Sequence, residues 1–133
     1  MRLLLIRHAE ALPGNPDELR PLSADGRAAA RALGLRLAGK GIRPDAILTS
    51  PLLRARETGN ALAAALGCGS EPSDALAPGT TVDDVRAAVA GRGDTVIAVG
   101  HQPDCGRISA ALGEGVEAEF PPLGVADLVV DGE

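Results

Sequence analysis

The chain opens on an uninterrupted apolar run, Leu3 to Ile6, held between Arg2 and Arg7. A run this short, with neither Gly nor Pro, predicts a buried strand over Arg2 to Arg7. Two later stretches read the same way: Ala46 to Thr49, and the β-branched run Thr95 to Val99 closed by Gly100. Between them the spacing changes to that of helices. From Ala24 to Ala38, Ala and Leu recur at helical intervals with Arg27, Arg31 and Arg36 among them. Ser23 stands at the N-cap position, Asp25 lies in the first turn where a negative charge suits the helix dipole, and Gly39 and Gly41 stop the helix.

Pro51 suits the first turn of a second helix, which runs to about Leu66 and ends at Gly67. The segment Ser70 to Pro78 predicts a loop or a short strand. Thr81, Asp83 and Asp84 lead a third helix over Val82 to Ala90. Pro103 begins a fourth, through Leu112, and Val125 to Val130 reads as a last strand, a candidate for a sheet edge. The order β-α-β-α-α-β-α-β implies an α/β fold, a mostly parallel sheet with helices on both faces. At 133 residues the chain fits a single domain spanning 1–133.

Composition narrows the classes of function. There is one Phe and no Tyr or Trp, so the core must be built from Leu, Val, Ile and Ala. Such a chain lacks the aromatic side chains on which bases stack, and its net charge of −5 disfavours nucleic acid and anionic membranes as partners. Cys68 and Cys105 are isolated thiols with no metal-binding or disulfide spacing. The apolar run at the N-terminus is too short for a signal peptide core or a membrane span, so the expected location is the cytoplasm.

In open α/β sheets, ligands bind beyond the carboxyl ends of the strands. Both histidines of the chain, His8 and His101, fall at such ends. One histidine there would read as a strand cap; two at one rim point to a shared site. A metal site needs a third ligand with matched spacing, which the chain does not offer. A phosphate site fits better. Arg7 precedes His8, and Arg54 lies just past the second strand. Arg presents a planar fork of donors matched to phosphate oxygens. Arg7 ends an apolar strand, where an unpaired charge is costly and a bound anion would repair it. Most of Arg20, Arg27, Arg31, Arg36, Arg86 and Arg92 read as solvated surface charges.

Four segments then resemble one family. Leu5-Ile6-Arg7-His8-Ala9-Glu10 is similar to the RHG signature of the histidine phosphatase superfamily, which has the phosphoglycerate mutase-like fold. Leu22-Ser23-Ala24-Asp25-Gly26 resembles its LTxxG segment, and Leu48 to Thr58 its SPLxRAxQT segment. Val99-Gly100-His101-Gln102-Pro103 resembles its VxHxP segment. The order is conserved across nearly the whole chain. The resemblance implies a three-layer α/β/α sandwich and, from the lack of room for a covering insertion, kinship with compact SixA-like phosphohistidine phosphatases. It implies His8 as the nucleophile, Arg7 and Arg54 as holders of the phosphoryl oxygens, and His101 as a further donor to them. It implies neither a metal nor an organic cofactor. The partner expected is a phosphorylated protein or a small phosphorylated substrate; the oligomeric state is left open.

Two positions depart from the family pattern. Ala9 replaces a Gly, which matters only where the backbone needs φ > 0. Many members carry a Glu that protonates the leaving oxygen; here the aligned position is Ala75, with Asp74 and Asp83 as candidate substitutes. A site without that acid suits an imidazole leaving group, whose reference pKa of about 6.5 lets it protonate near neutral pH. The reading is therefore a phosphohistidine phosphatase. A phosphatase of small phosphate monoesters and a noncatalytic phosphate-binding module are the alternatives, and a mutase is disfavoured because nothing covers the phosphoenzyme. Glu10 is expected to order the loop after His8. Ser50 and Thr58 are expected to bond at helix ends, Cys105 to be unactivated, and the helix from Ala24 to be a surface helix.

Overall fold

The computed structural model describes residues 1–113 and 119–130. In chain order the elements are β1 (Arg2–Arg7), α1 (Ala24–Gly39), β2 (Ala46–Thr49), α2 (Leu53–Leu66), β3 (Glu71–Pro72), α3 (Val82–Val89), β4 (Thr95–Gly100), α4 (Asp104–Leu112) and β5 (Val125–Val129). Short 3₁₀ turns at Asp17–Leu19 and Asp74–Leu76 punctuate the loops after β1 and β3. The strands form one sheet in the order β3-β2-β4-β1-β5. Every neighbouring pair is parallel except β1 with β5. This is the mostly parallel sheet that the alternating pattern implies, with β5 at an edge.

Alternation along β1 sends its side chains to two separate cores. Leu3 and Leu5 join Val85, Val89, Cys105 and Ile108 of α3 and α4 on one face. Leu4 and Ile6 join Leu33, Leu37, Ala55, Leu62 and Ala63 of α1 and α2 on the other. A strand covered on both faces has no polar side to show, which is why Leu3 to Ile6 is a continuous apolar run. Each of these four side chains is at most 2% exposed, a burial that stabilises by about 1.5–3 kcal/mol apiece. The three layers are α1 and α2, the sheet, then α3 and α4.

Helix α1 is the surface helix expected, with Arg27 and Arg31 exposed and Ala30, Leu33 and Leu37 buried. Ser23 caps it by accepting the Gly26 N–H at 2.9 Å. Helix α2 begins at Leu53 rather than in a turn containing Pro51, because Leu52 is extended (φ −68°, ψ 143°). The segment predicted as loop or short strand holds both: a two-residue strand, then a 3₁₀ turn. Among the described residues no helix is long and apolar enough to cross a membrane.

The register sets up the site. Arg7 lies opposite Gly100, while Val99 lies opposite both Ile6 and Thr49. Three parallel strands therefore end together, and the next residue out from each is His8, His101 or Ser50.

Candidate active site

His8 leaves β1 with its backbone N–H still on β4, donating to the Gly100 carbonyl at 3.0 Å. Its ring centroid lies 5.2 Å from that of His101. His8 Nδ1 is 2.7 Å from the Ala9 carbonyl oxygen. A carbonyl only accepts, so Nδ1 carries the hydrogen; in the neutral ring Nε2 is then an unprotonated lone pair. Burial pushes the His8 pKa down to about 4, aided by the charges of Arg54, Arg7 and Arg20 and opposed by the Ala9 bond. The ring is therefore neutral at physiological pH.

His101 is 5% exposed, and its Nε2 lies 2.7 Å from the Ser50 hydroxyl. That hydroxyl accepts the Leu52 N–H at 3.3 Å, which leaves its own hydrogen free for Nε2. A neutral ring that accepts this hydrogen at Nε2 carries its own on Nδ1, an atom buried with no partner among the described residues. Burial, then His8, then Arg54 push this pKa down to about 4, with Asp104 and Asp17 acting the other way.

Arg7 Nη1 donates to the Phe120 carbonyl at 2.9 Å, while its Nε is buried without an acceptor among the described residues. Arg54, 8% exposed in the first turn of α2, donates to the Asp17 carbonyl from Nη1 at 2.9 Å. Its Nη2 donates to the Asp17 carboxylate at 3.2 Å. The four residues singled out from sequence thus share one rim. They present an unprotonated ring nitrogen beside two orphaned donors and a guanidinium with N–H groups to spare.

Supporting contacts explain the remaining motif residues. Fully buried Thr58 accepts the Ala9 N–H at 3.0 Å and donates to the Arg54 carbonyl at 2.8 Å. It is more than a helix-end bonder, since it ties Ala9, the residue whose carbonyl holds the His8 ring, to the turn that carries Arg54. Ser50 likewise bonds the helix start and also touches His101. Ala9 is fully buried in a small cluster with Leu22 and Ala30. Leu123 is the one described non-glycine residue with positive φ, so the methyl of Ala9 meets no backbone strain. Glu10 orders the loop as expected: its carboxylate accepts from Ser23 Oγ at 2.7 Å and its carbonyl from the Ser23 N–H at 3.0 Å. A Cβ at Gly26 would sit 2.2 Å from that same carbonyl oxygen, so the motif glycine is a close-approach residue. Burial and the Asp104 charge push the Cys105 thiol up to about 12, so it stays protonated and unreactive.

At Ala75, the position that the resemblance aligns with an acid, the carbonyl accepts the Thr80 hydroxyl at 2.5 Å. Asp74 and Asp83 are exposed, and the carboxylates whose charge acts on His101 are instead Asp104 and Asp17. Asp104 is 3% exposed and committed, accepting from the Gly79 N–H and from Arg107, both at 2.8 Å. Sequence reading missed Asp17 and set Arg20 among the surface charges. Both lie in a Pro-marked loop with no periodicity, and the only clue was their closeness along the chain to His8.

Comparison with known proteins agrees with this geometry. Residues 3–78 match the model of the histidine phosphatase superfamily (branch 1). An uncharacterized protein of Picosynechococcus sp. is 36% identical over 123 residues, spanning 86% of this chain and 74% of its own length. Among solved structures, the protein histidine phosphatase SixA complexed with tungstate aligns with a TM-score of 0.89 at 28% identity. That match covers 98% of this chain and 89% of SixA. SixA of Agrobacterium tumefaciens aligns with a TM-score of 0.80 at 28% identity, over 95% of this chain and 89% of that one. A phosphoserine phosphatase from Entamoeba histolytica, at 15% identity, shares the fold with a TM-score of 0.73 over 96% of this chain and 90% of its own.

Proposed function

Because the chain belongs to the histidine phosphatase superfamily, we propose that it is a phosphatase working through a phosphohistidine on His8, with phosphohistidine of a protein as its substrate. His8 Nε2 attacks phosphorus in line. The new N–P bond forms as the bond to the leaving group breaks, and the electron pair of that bond leaves with the leaving group. Arg7 and Arg54 hold the phosphoryl oxygens, with His101 Nδ1–H as a third donor. Preorganised donors of this kind are usually the largest source of rate. Water then attacks phosphorus, the N–P bond breaks, and His8 returns to its neutral state.

The observation that carries the reading is the paired state of the two rings. His8 Nδ1 is committed to Ala9, which frees Nε2 to attack; His101 Nε2 is committed to Ser50, which frees Nδ1 to donate. An attacking lone pair and a receiving donor side by side suit a tetrahedral anion undergoing displacement. The substrate class rests on the missing proton donor: Asp74 and Asp83 are exposed, and the aligned position is Ala75. A departing imidazole takes up its own proton near neutral pH, whereas an alkoxide depends on help worth about 10²–10⁴-fold. The likeness to SixA structures points the same way.

The test is rapid quenching after mixing with a phosphohistidine-bearing protein. A phosphoenzyme stable to base and labile to acid is expected on the wild type and absent from His8→Ala, whose turnover should fall at least about 10³-fold. Undiminished turnover by His8→Ala would remove the mechanism. Efficient hydrolysis of phosphate monoesters with phosphohistidine left untouched would remove the substrate class alone.

A further inference from the structure

The loop after β1 brings a carboxylate to the rim that the mechanism does not use. Asp17 Oδ1 accepts from Arg20 Nη1 at 3.0 Å and Oδ2 from Arg54 Nη2 at 3.2 Å. Arg20 is itself anchored, its Nε donating to the Leu12 carbonyl at 2.8 Å. Two guanidinium groups therefore fix this carboxylate in place. Hydrogen bonds from Arg20 and Arg54 hold its pKa below the usual carboxylate range, so it is ionised. Its side chain is nonetheless 63% exposed, against 10% for that of Arg54.

An arginine has five N–H donors, and Asp17 takes two of those on Arg54. The rest remain for a phosphoryl group, so carboxylate and phosphoryl share one guanidinium, with the carboxylate on its solvent side. His8 attacks from the strand end, and in-line displacement sends the leaving group away from it, toward solvent. We infer that Asp17 is a specificity-determining residue that faces the leaving group and favours one bearing an N–H or a positive charge. The inference rests on the phosphoryl group sitting among Arg7, His8, Arg54 and His101.

Discrimination runs in both directions. A phosphorylated imidazole has a distal ring nitrogen that protonates as the ring departs, and that N–H donates to the carboxylate. An ester offers Asp17 only further negative charge. An alkoxide would need a proton from it, which an ionised carboxylate held by two arginines does not have.

Asp17→Asn keeps an oxygen for Arg54 Nη2 and the backbone carbonyl for Nη1 while removing the charge. Activity toward N-phosphoimidazole and phenyl phosphate, together with inhibition by inorganic phosphate, reads the effect. With the substitution, kcat/KM for phosphoimidazole should fall about tenfold while that for phenyl phosphate holds or rises, and phosphate should inhibit about threefold more tightly. Asp17→Glu, which keeps the charge, should retain the wild-type preference. Equal losses on both substrates in Asp17→Asn would reduce Asp17 to a positioning residue for Arg54 and overturn the inference, as would no change in either. A wild type inert toward both phosphoimidazole and phosphohistidine protein would instead overturn the phosphohistidine reading on which the inference stands.

Discussion

At the end of β1, the ring and backbone of His8 are held by a chain of fixed partners. The ring is held by the Ala9 carbonyl, the Ala9 N–H by Thr58, Thr58 by the Arg54 turn, and the His8 N–H by β4. The loop of residues 74–80 is ordered just as firmly, but on its own behalf: Thr80 bonds Ala75 and Gly79 bonds Asp104. One region spends its hydrogen bonds on aiming reactive atoms, the other on staying folded. The contrast separates two tasks of phosphoryl transfer. On the proposed mechanism, attack and charge stabilisation rely on tight geometry, while protonation of the leaving group is left to the substrate.

The largest effect that would test the contrast comes from Arg54→Ala. This removes a phosphoryl donor, so kcat should fall by about 10²–10³-fold in steady-state assays. Arg107→Ala loosens Asp104 on the other side of the rim and should leave kcat within about threefold. Similar losses from the two would erase the distinction.

Thr58 offers a finer cut. Thr58→Val leaves the buried Ala9 N–H without an acceptor, costing about 1–3 kcal/mol of stability by urea unfolding. Because the carbonyl of the same residue fixes the His8 tautomer, kcat should fall about tenfold as well, with Thr58→Ser restoring both. Lost stability with unchanged kcat would show that the ring is aimed by other contacts.

Proton NMR can follow the ring titrations directly, since the chain has two histidines. Both should titrate near 4, against 6.5 for a free imidazole. The sign for stability follows. Between pH 6.5 and 4 the unfolded chain binds protons at the histidines that the folded chain refuses, so their contribution to stability falls as pH drops through that window and is constant above it. Rings titrating near 6.5 would mean that burial and the arginines do not keep His8 neutral.

Much of this was legible in the sequence. The apolar runs of β1 and β4 have a single reading, and the cap at Ser23 and the stops at Gly39 and Gly67 bound their helices. Strand order was not legible, because periodicity says which faces are buried but not which strands are neighbours. The start of α2 was misplaced because Pro51 suits a first turn, whereas Leu52 is extended and the helix begins only at Leu53. The four residues of the rim were found because charged and imidazole side chains at the ends of buried strands stand out. Asp17 was not, because an acid in a loop looks the same whether it meets solvent or a guanidinium.

The smallest expected effect concerns the acids that the sequence offered as proton donors. Asp74 and Asp83 are exposed, and neither is among the main charges acting on His8 or His101. Asp74→Ala and Asp83→Ala should therefore each change kcat by less than about twofold on phosphohistidine and on phenyl phosphate alike. The ester is the sharper probe, since a general acid matters most where the leaving group is basic. A tenfold loss on the ester with phosphohistidine unaffected would mean that the loop delivers a carboxylate when substrate binds. The division of labour along the rim would then belong to the unliganded enzyme alone. Equal small effects on both substrates would leave proton delivery to the leaving group, as the proposed phosphohistidine substrate requires.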